Sequence, residues 1–138
     1  MSKSDPITTI MTANPTTIER SCPISEAYQL LSAAPFHHLV VTENDAPVGM
    51  LAASDILRLV YDADGSDEEA LKTYIDHQFT IDDAMSVDLQ SLPRTATVHD
   101  AATVFSDGMF HSVLVLGESE ELVGISTTTD LARYVRDA

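Results

Sequence analysis

The sequence predicts a mixed α/β (α+β) fold in which one strand–helix–strand–strand–helix unit is written twice. Three observations carry this. First, laying Ile10-Met11-Thr12 over Ala84-Met85-Ser86 and continuing without gaps puts Arg20 on Arg94, Ile24 on Val98, Ala27 on Ala101, His37 on His111 and Val41 on Val115. One extra residue in the second copy, around Ser119 to Glu121, shifts the register, after which Val48-Gly49 falls on Val123-Gly124 and Asp55 on Asp130. Collinear self-similarity over such a span marks a duplicated structural unit. Second, each copy holds a run with apolar residues at helical spacing: Ile24, Ala27 and Leu31, then Val98, Ala101 and Phe105. Third, each copy holds short β-rich apolar runs bounded by polar turns.

The elements follow in order. Thr16-Thr17-Ile18 and Gln90-Ser91-Leu92 read as short extended pieces. The helices after them carry Glu26 or Asp100 near the start, where a carboxylate suits the helix dipole. Leu39-Val40-Val41 and Val113-Leu114-Val115-Leu116 read as buried strands. The turns Glu43-Asn44-Asp45 and Gly117 to Glu121 reverse the chain into Val48-Gly49-Met50-Leu51 and Leu122-Val123-Gly124-Ile125. Each copy closes with a helix expected to open at Ser54-Asp55 or Thr129-Asp130. The expected organisation is a first repeat over 1–62, an acidic linker with a short helix over 63–79, and a second repeat over 80–138. The helix around Asp67 to His77 is expected to be solvated, without chemistry of its own.

Composition narrows the function. The chain of 138 residues has 7 Lys+Arg against 22 Asp+Glu, a net charge of −15. Nucleic acids and anionic membranes attract basic surfaces, so this balance argues against both as partners. Apolar residues make up 44% of the chain, enough for a core and too many for disorder throughout. Cys22 is the sole cysteine, which excludes an internal disulfide and a CxxC zinc site. No stretch approaches the roughly 18 apolar residues of a membrane span, and no signal peptide is visible, so a cytoplasmic location is expected.

Gly49-Met50-Leu51-Ala52-Ala53-Ser54-Asp55 and Gly124-Ile125-Ser126-Thr127-Thr128-Thr129-Asp130 each close a strand and open a helix. With Met11-Thr12 and Met85-Ser86 heading the copies, the chain resembles a tandem pair of cystathionine β-synthase (CBS) domains, a Bateman module, from about Ile7 to Val135. The resemblance implies two βαββα repeats packed sheet to sheet, with two clefts related by a pseudo-twofold axis. It implies a regulatory, non-catalytic module whose clefts take an adenosine-containing ligand: AMP, ADP, ATP or S-adenosylmethionine.

A carboxylate at a helix start can accept two hydrogen bonds from a ribose diol, while hydroxyls and free N–H groups in the same turn suit a phosphate. The second copy offers Thr127, Thr128, Thr129 and Asp130; the first offers Asp55 and Ser54 but has Ala52 where the hydroxyl belongs. The resemblance places a basic or imidazole pair before the second strand, here His37-His38 and His111-Ser112. It also implies that Pro15, Thr16, Thr17 and Ile18 line the Asp130 cleft, and Leu89 to Leu92 the Asp55 cleft.

Plainer roles exist for the same residues. Asp55 and Asp130 can serve as helix caps worth about 1 kcal/mol each. Arg58 and Arg133, one turn further on, are placed for i, i+3 ion pairs with them. Adjacent histidines at a strand start point to opposite faces, so they do not converge on a metal. The sequence contains no P-loop, HExxH, nucleophile elbow or Rossmann glycine series, so it reads as no enzyme and needs no cofactor. Ile56 to Tyr61 and Leu131 to Val135 read as helices apolar almost all round, which leads to the expectation of a homodimer. A ligand-free dimerisation or protein-docking module is the alternative function.

Overall fold

The computed structural model describes residues 4–33, 38–60 and 68–138, with backbone alone at Val60 and Glu68. A 3₁₀ turn, Ile7–Thr9, and β1 (Thr12–Ala13) precede the first copy, which consists of β2 (Thr17–Glu19), α1 (Ile24–Ala33), β3 (His38–Glu43), β4 (Ala46–Ala52) and α2 (Ala53–Val60). Helices α3 (Glu68–Gln78) and α4 (Ile81–Ala84) lead to the second: β5 (Ser91–Pro93), α5 (Val98–Phe105), β6 (Ser112–Leu116), β7 (Leu122–Thr127) and α6 (Thr128–Arg136). Among the described residues no helix is long and apolar enough to cross a membrane.

The chain condenses into two units, Thr16–Asp88 and Met1–Pro15 together with Leu89–Ala138. In the first, β2 pairs parallel with β3 through the α1 crossover, and β3 pairs antiparallel with β4. Asn44 and Asp45 have φ of 52° and 66°, the left-handed conformation that a two-residue hairpin turn requires. The core gathers Ile18, Ile24, Ala27, Leu31, Leu39, Val41, Leu51 and Ile56. In the second unit β5 pairs parallel with β6 and β6 antiparallel with β7, while β1 adds to the far edge of β7. Both central hairpins bulge at aligned places, between Val41 and Thr42 and between Val115 and Leu116. The residues read as the buried stripes of α1 and α5 are buried in both helices.

These units are not the sequence repeats. Each repeat gives its leading segment to the other copy. Thr12 and Ala13 pair with Ile125 and Gly124 of β7. Ser86 exchanges two backbone hydrogen bonds with Met50 of β4, at 2.9 and 3.0 Å. Met11 and Met85, at the heads of the leaders, pack on the second and first cores respectively.

Three expectations are corrected. The helix expected to be solvated between the repeats buries Ile75 in the first core. Its Asp76 carboxylate also accepts the Ser25 N–H at 2.9 Å and the Ser25 hydroxyl, closing the start of α1. The final helices are two-faced rather than apolar all round. Helix α2 buries Ile56 but exposes Leu57 by 54%, and α6 buries no side chain fully while exposing Val135. Both final helices also begin earlier than expected, at Ala53 and Thr128. His37, expected at the first site, and Tyr61, expected in the last helix of the first copy, lie outside the described residues.

The second core carries an unmet polar group. Ser126 is fully buried, and its hydroxyl has no hydrogen-bond partner among the described residues. The aligned position of the first copy is Leu51, a core residue. An unsatisfied buried hydroxyl costs about 1–3 kcal/mol. Ser126→Ala is therefore expected to raise stability by about 1 kcal/mol, seen as a higher urea midpoint with unchanged slope; a lower midpoint would refute the reading.

Candidate ligand site

The two strand-to-helix junctions share a backbone N–H to aspartate hydrogen bond and differ in their side chains. At the end of β7 Thr127 is extended and acts as the N-cap of α6. Its N–H donates to Asp130 Oδ2 at 2.8 Å, and the Asp130 N–H donates to Thr127 Oγ1 at 3.2 Å. This is a reciprocal capping box. At the end of β4 the Ala52 N–H donates to Asp55 Oδ2, again at 2.8 Å, but alanine has no hydroxyl to return the bond. The aspartates are thus third residues of their helices and not the caps themselves. Each has one oxygen engaged by the turn. Thr127 uses its oxygen as an acceptor and keeps its own proton to donate.

Several of the expected site residues come together around Asp130. His111 is exposed just before β6, and its carbonyl accepts the Thr128 N–H at 3.0 Å. Ser112 lies opposite Thr127 in the sheet. Thr129 is exposed in the first turn of α6. In the first copy His38 lies opposite Ala52, so that junction groups His38 with Asp55. Thr16, Thr17 and Ile18 belong to the unit that holds Asp55. Thr16 and Thr17 are exposed, but the Ile18 side chain is buried in that unit's core. Alternation along β2 turns it inward, so its side chain is not available to a ligand.

A cavity of about 440 Å³ borders Asp130 and is lined also by Asp5, Thr9, Ile10, Arg133, Tyr134 and Asp137. Its volume falls within the usual range for small-molecule sites. Residues 130, 133 and 134 recur at helical spacing along one face of α6, and Asp137 is its C-cap, a pattern legible in the sequence. The expected i, i+3 ion pair exists as Asp55–Arg58, at 3.9 Å. Arg133 makes no such pair with Asp130 among the described residues and lines the cavity instead.

Charge elsewhere is arranged for structure. Arg20 donates through Nε and Nη2 to both oxygens of Asp82, at 2.8 and 2.9 Å, and through Nη1 to Glu43 at 2.9 Å. The guanidinium holds the Asp82 carboxyl below the usual range. A depressed carboxyl contributes stability above its unfolded pKa and loses it as pH falls through the folded value. The urea midpoint of Asp82→Asn is therefore expected to lie below that of the unsubstituted protein at neutral pH, with the gap closing below about pH 4. A gap that persists in acid would refute this. A hydrogen bond to Glu26, then burial, pushes the Cys22 thiol up, away from the reactive thiolate.

The CBS domain family model matches residues 7–62 and 81–137, one segment for each copy. The chain belongs to the CBS domain family. It is a tandem CBS pair, and solved structures share its fold. The structure of CBSX2 in complex with AMP is 20% identical, with a TM-score of 0.75, covering 96% of this chain and 97% of that one. The CBS domain pair of MJ0100 in complex with 5′-methylthioadenosine and S-adenosyl-L-methionine is 21% identical, with a TM-score of 0.74, covering 94% and 98%. OpuCA of Staphylococcus aureus is 17% identical, with a TM-score of 0.72, covering 95% and 97%. No curated protein matches the sequence. In this CBS pair the second copy alone carries the full Thr–Asp capping box at the end of its last strand, and the first keeps only the aspartate half.

Proposed function

We propose that this CBS pair is a regulatory module that senses an adenosine-containing ligand at the Asp130 end of α6. The observation that carries the reading is the Thr127–Asp130 box beside the cavity shared with Arg133. One Asp130 oxygen closes the turn, which leaves the other for a ribose hydroxyl. Complexes of two relatives of the same fold, with AMP and with S-adenosylmethionine and methylthioadenosine, support the ligand class. His111 and Thr129 flank the same helix start and serve the ligand's charged end. Asp55, with His37 and His38, forms the weaker counterpart. The module regulates rather than catalyses, acts as a homodimer in the cytoplasm, and passes its signal to a protein partner.

A chain of net charge −15 disfavours bare polyphosphates, so AMP and S-adenosylmethionine rank above ATP. Bound ligand raises stability by mass action. A thermal-shift series with AMP, ADP, ATP, S-adenosylmethionine and NADH is expected to show the largest rise for AMP or S-adenosylmethionine. ATP giving the largest rise in metal-free buffer would overturn the ranking. No rise with any of the five would favour the second reading, a ligand-free dimerisation or docking module. That reading draws support from Ala52, from Ser112 in place of a second basic residue, and from the acidity.

A further inference from the structure

Helix α6 carries Asp130, yet among the described residues it is the one helix without a fully buried side chain. Helices α1 and α5 bury three residues each, while α2, α3 and α4 insert Ile56, Ile75 and Ile81. Leu131, aligned with the fully buried Ile56, is only half-buried. The core position before it, filled by Leu51 in the first copy, is Ser126 in the second. Within one chain, the apolar anchorage of α6 is therefore weaker than that of the other described helices.

Polar contacts take over. The capping box closes the start of α6, and the Thr128 N–H rests on the His111 carbonyl. Further along, the Tyr134 hydroxyl donates to the Asp5 carboxylate. Asp5 is itself fixed, because its carbonyl accepts the Val98 N–H of α5 at 2.8 Å. Against this stands charge. Asp5 and Asp130 line one cavity with the guanidinium of Arg133, while Asp137 in the same lining is paired with Arg136 at 2.9 Å, so the groove keeps an excess of negative charge. Elements with few buried apolar contacts open locally, below the global unfolding free energy.

We infer that α6 is a latched helix, which opens from its unit without global unfolding and whose far end is held by Tyr134 on Asp5. Resting on the function proposed above, the inference adds a regulatory consequence. A ligand that bridges Asp130 and the leader side of the groove closes the latch, so occupancy is read out as order in α6.

Hydrogen exchange on the full chain, followed by mass spectrometry at neutral pH, tests this. Amides of α6 are expected to exchange about tenfold or more faster than those of α5. Tyr134→Phe should speed α6 by about a further tenfold, the loss of one hydrogen bond to a charged group, and leave α5 unchanged. Exchange in α6 as slow as in α5, or a Tyr134→Phe effect that is absent or equal in both helices, would overturn the latch. AMP, with occupancy verified by calorimetry, should slow α6 selectively. Bound AMP without slowing would overturn the coupling. No binding of AMP or S-adenosylmethionine would overturn the proposed function instead, and the ligand-free exchange data would still decide the latch.

Discussion

Replacing Gly124 with alanine is expected to cost about 2 kcal/mol of folding stability, the scale of overpacking a closed interior. Gly124 lies in β7 opposite Ala13 of the exchanged leader. A Cβ there would stand 2.4 Å from Met11 Sδ and 3.0 Å from the Thr12 carbonyl oxygen. The methionine end can swing away, but the carbonyl belongs to β1, whose position its pairing with β7 sets. The first copy repeats the arrangement, with a Cβ on Gly49 falling 2.5 Å from Met85 Sδ and 3.1 Å from the Ser86 carbonyl oxygen. Gly49→Ala is expected to cost a similar amount. Adding Met11→Ala to Gly124→Ala should recover only the side-chain part of the loss. Urea denaturation of the single and double variants measures this. A cost under about 0.5 kcal/mol for both glycines would show that the leaders yield, and that the glycines serve no close approach.

Asp130→Ala is expected to weaken adenosine-ligand binding by about 1.5–3 kcal/mol, tenfold or more in affinity, because a charge-assisted hydrogen bond to the ribose is lost. The same change opens the capping box, at a cost of about 1 kcal/mol in stability. Asp130→Asn separates the two effects, since its amide oxygen can still accept the Thr127 N–H while the charge is gone. Thr127→Ala should weaken binding by about 1 kcal/mol. Asp55→Ala should leave binding nearly unchanged. Ala52→Thr should complete the first box and strengthen binding at that end. Calorimetry with AMP at about pH 7.5 compares the set. Loss of binding in Asp55→Ala alone would place the working site in the first copy. Loss in neither Asp55→Ala nor Asp130→Ala would remove both ends from ligand recognition and leave the docking-module reading standing.

Much of this was legible along the chain. Helical spacing marked Ile24, Ala27 and Leu31, and Val98, Ala101 and Phe105, because a core-facing helix face repeats every three to four residues whatever it packs against. The duplicated spacing from Gly124 to Asp130 identified the strand-to-helix junction, and the missing hydroxyl at Ala52 already separated the copies. Local chemistry sufficed for these features, since a turn, a cap or an amphipathic stripe is set by residues a few positions apart.

The remainder depended on contacts between distant residues. The exchange of leaders follows from the pairing of Thr12 with Ile125 and the bridge of Ser86 to Met50, and neither changes the local pattern of its segment. The same holds for the docking of α3 by Ile75 and Asp76, which a mostly polar helix concealed. The duplication of the CBS unit, its order of elements and the candidate aspartates were determined by sequence alone. Tertiary structure decided which copy each leader completes, why Gly49 and Gly124 must lack a side chain, and that Arg133 and Tyr134 share a cavity with Asp130. Periodicity records which face of an element is buried, whereas the identity of the surface it meets is set only when the chain closes on itself.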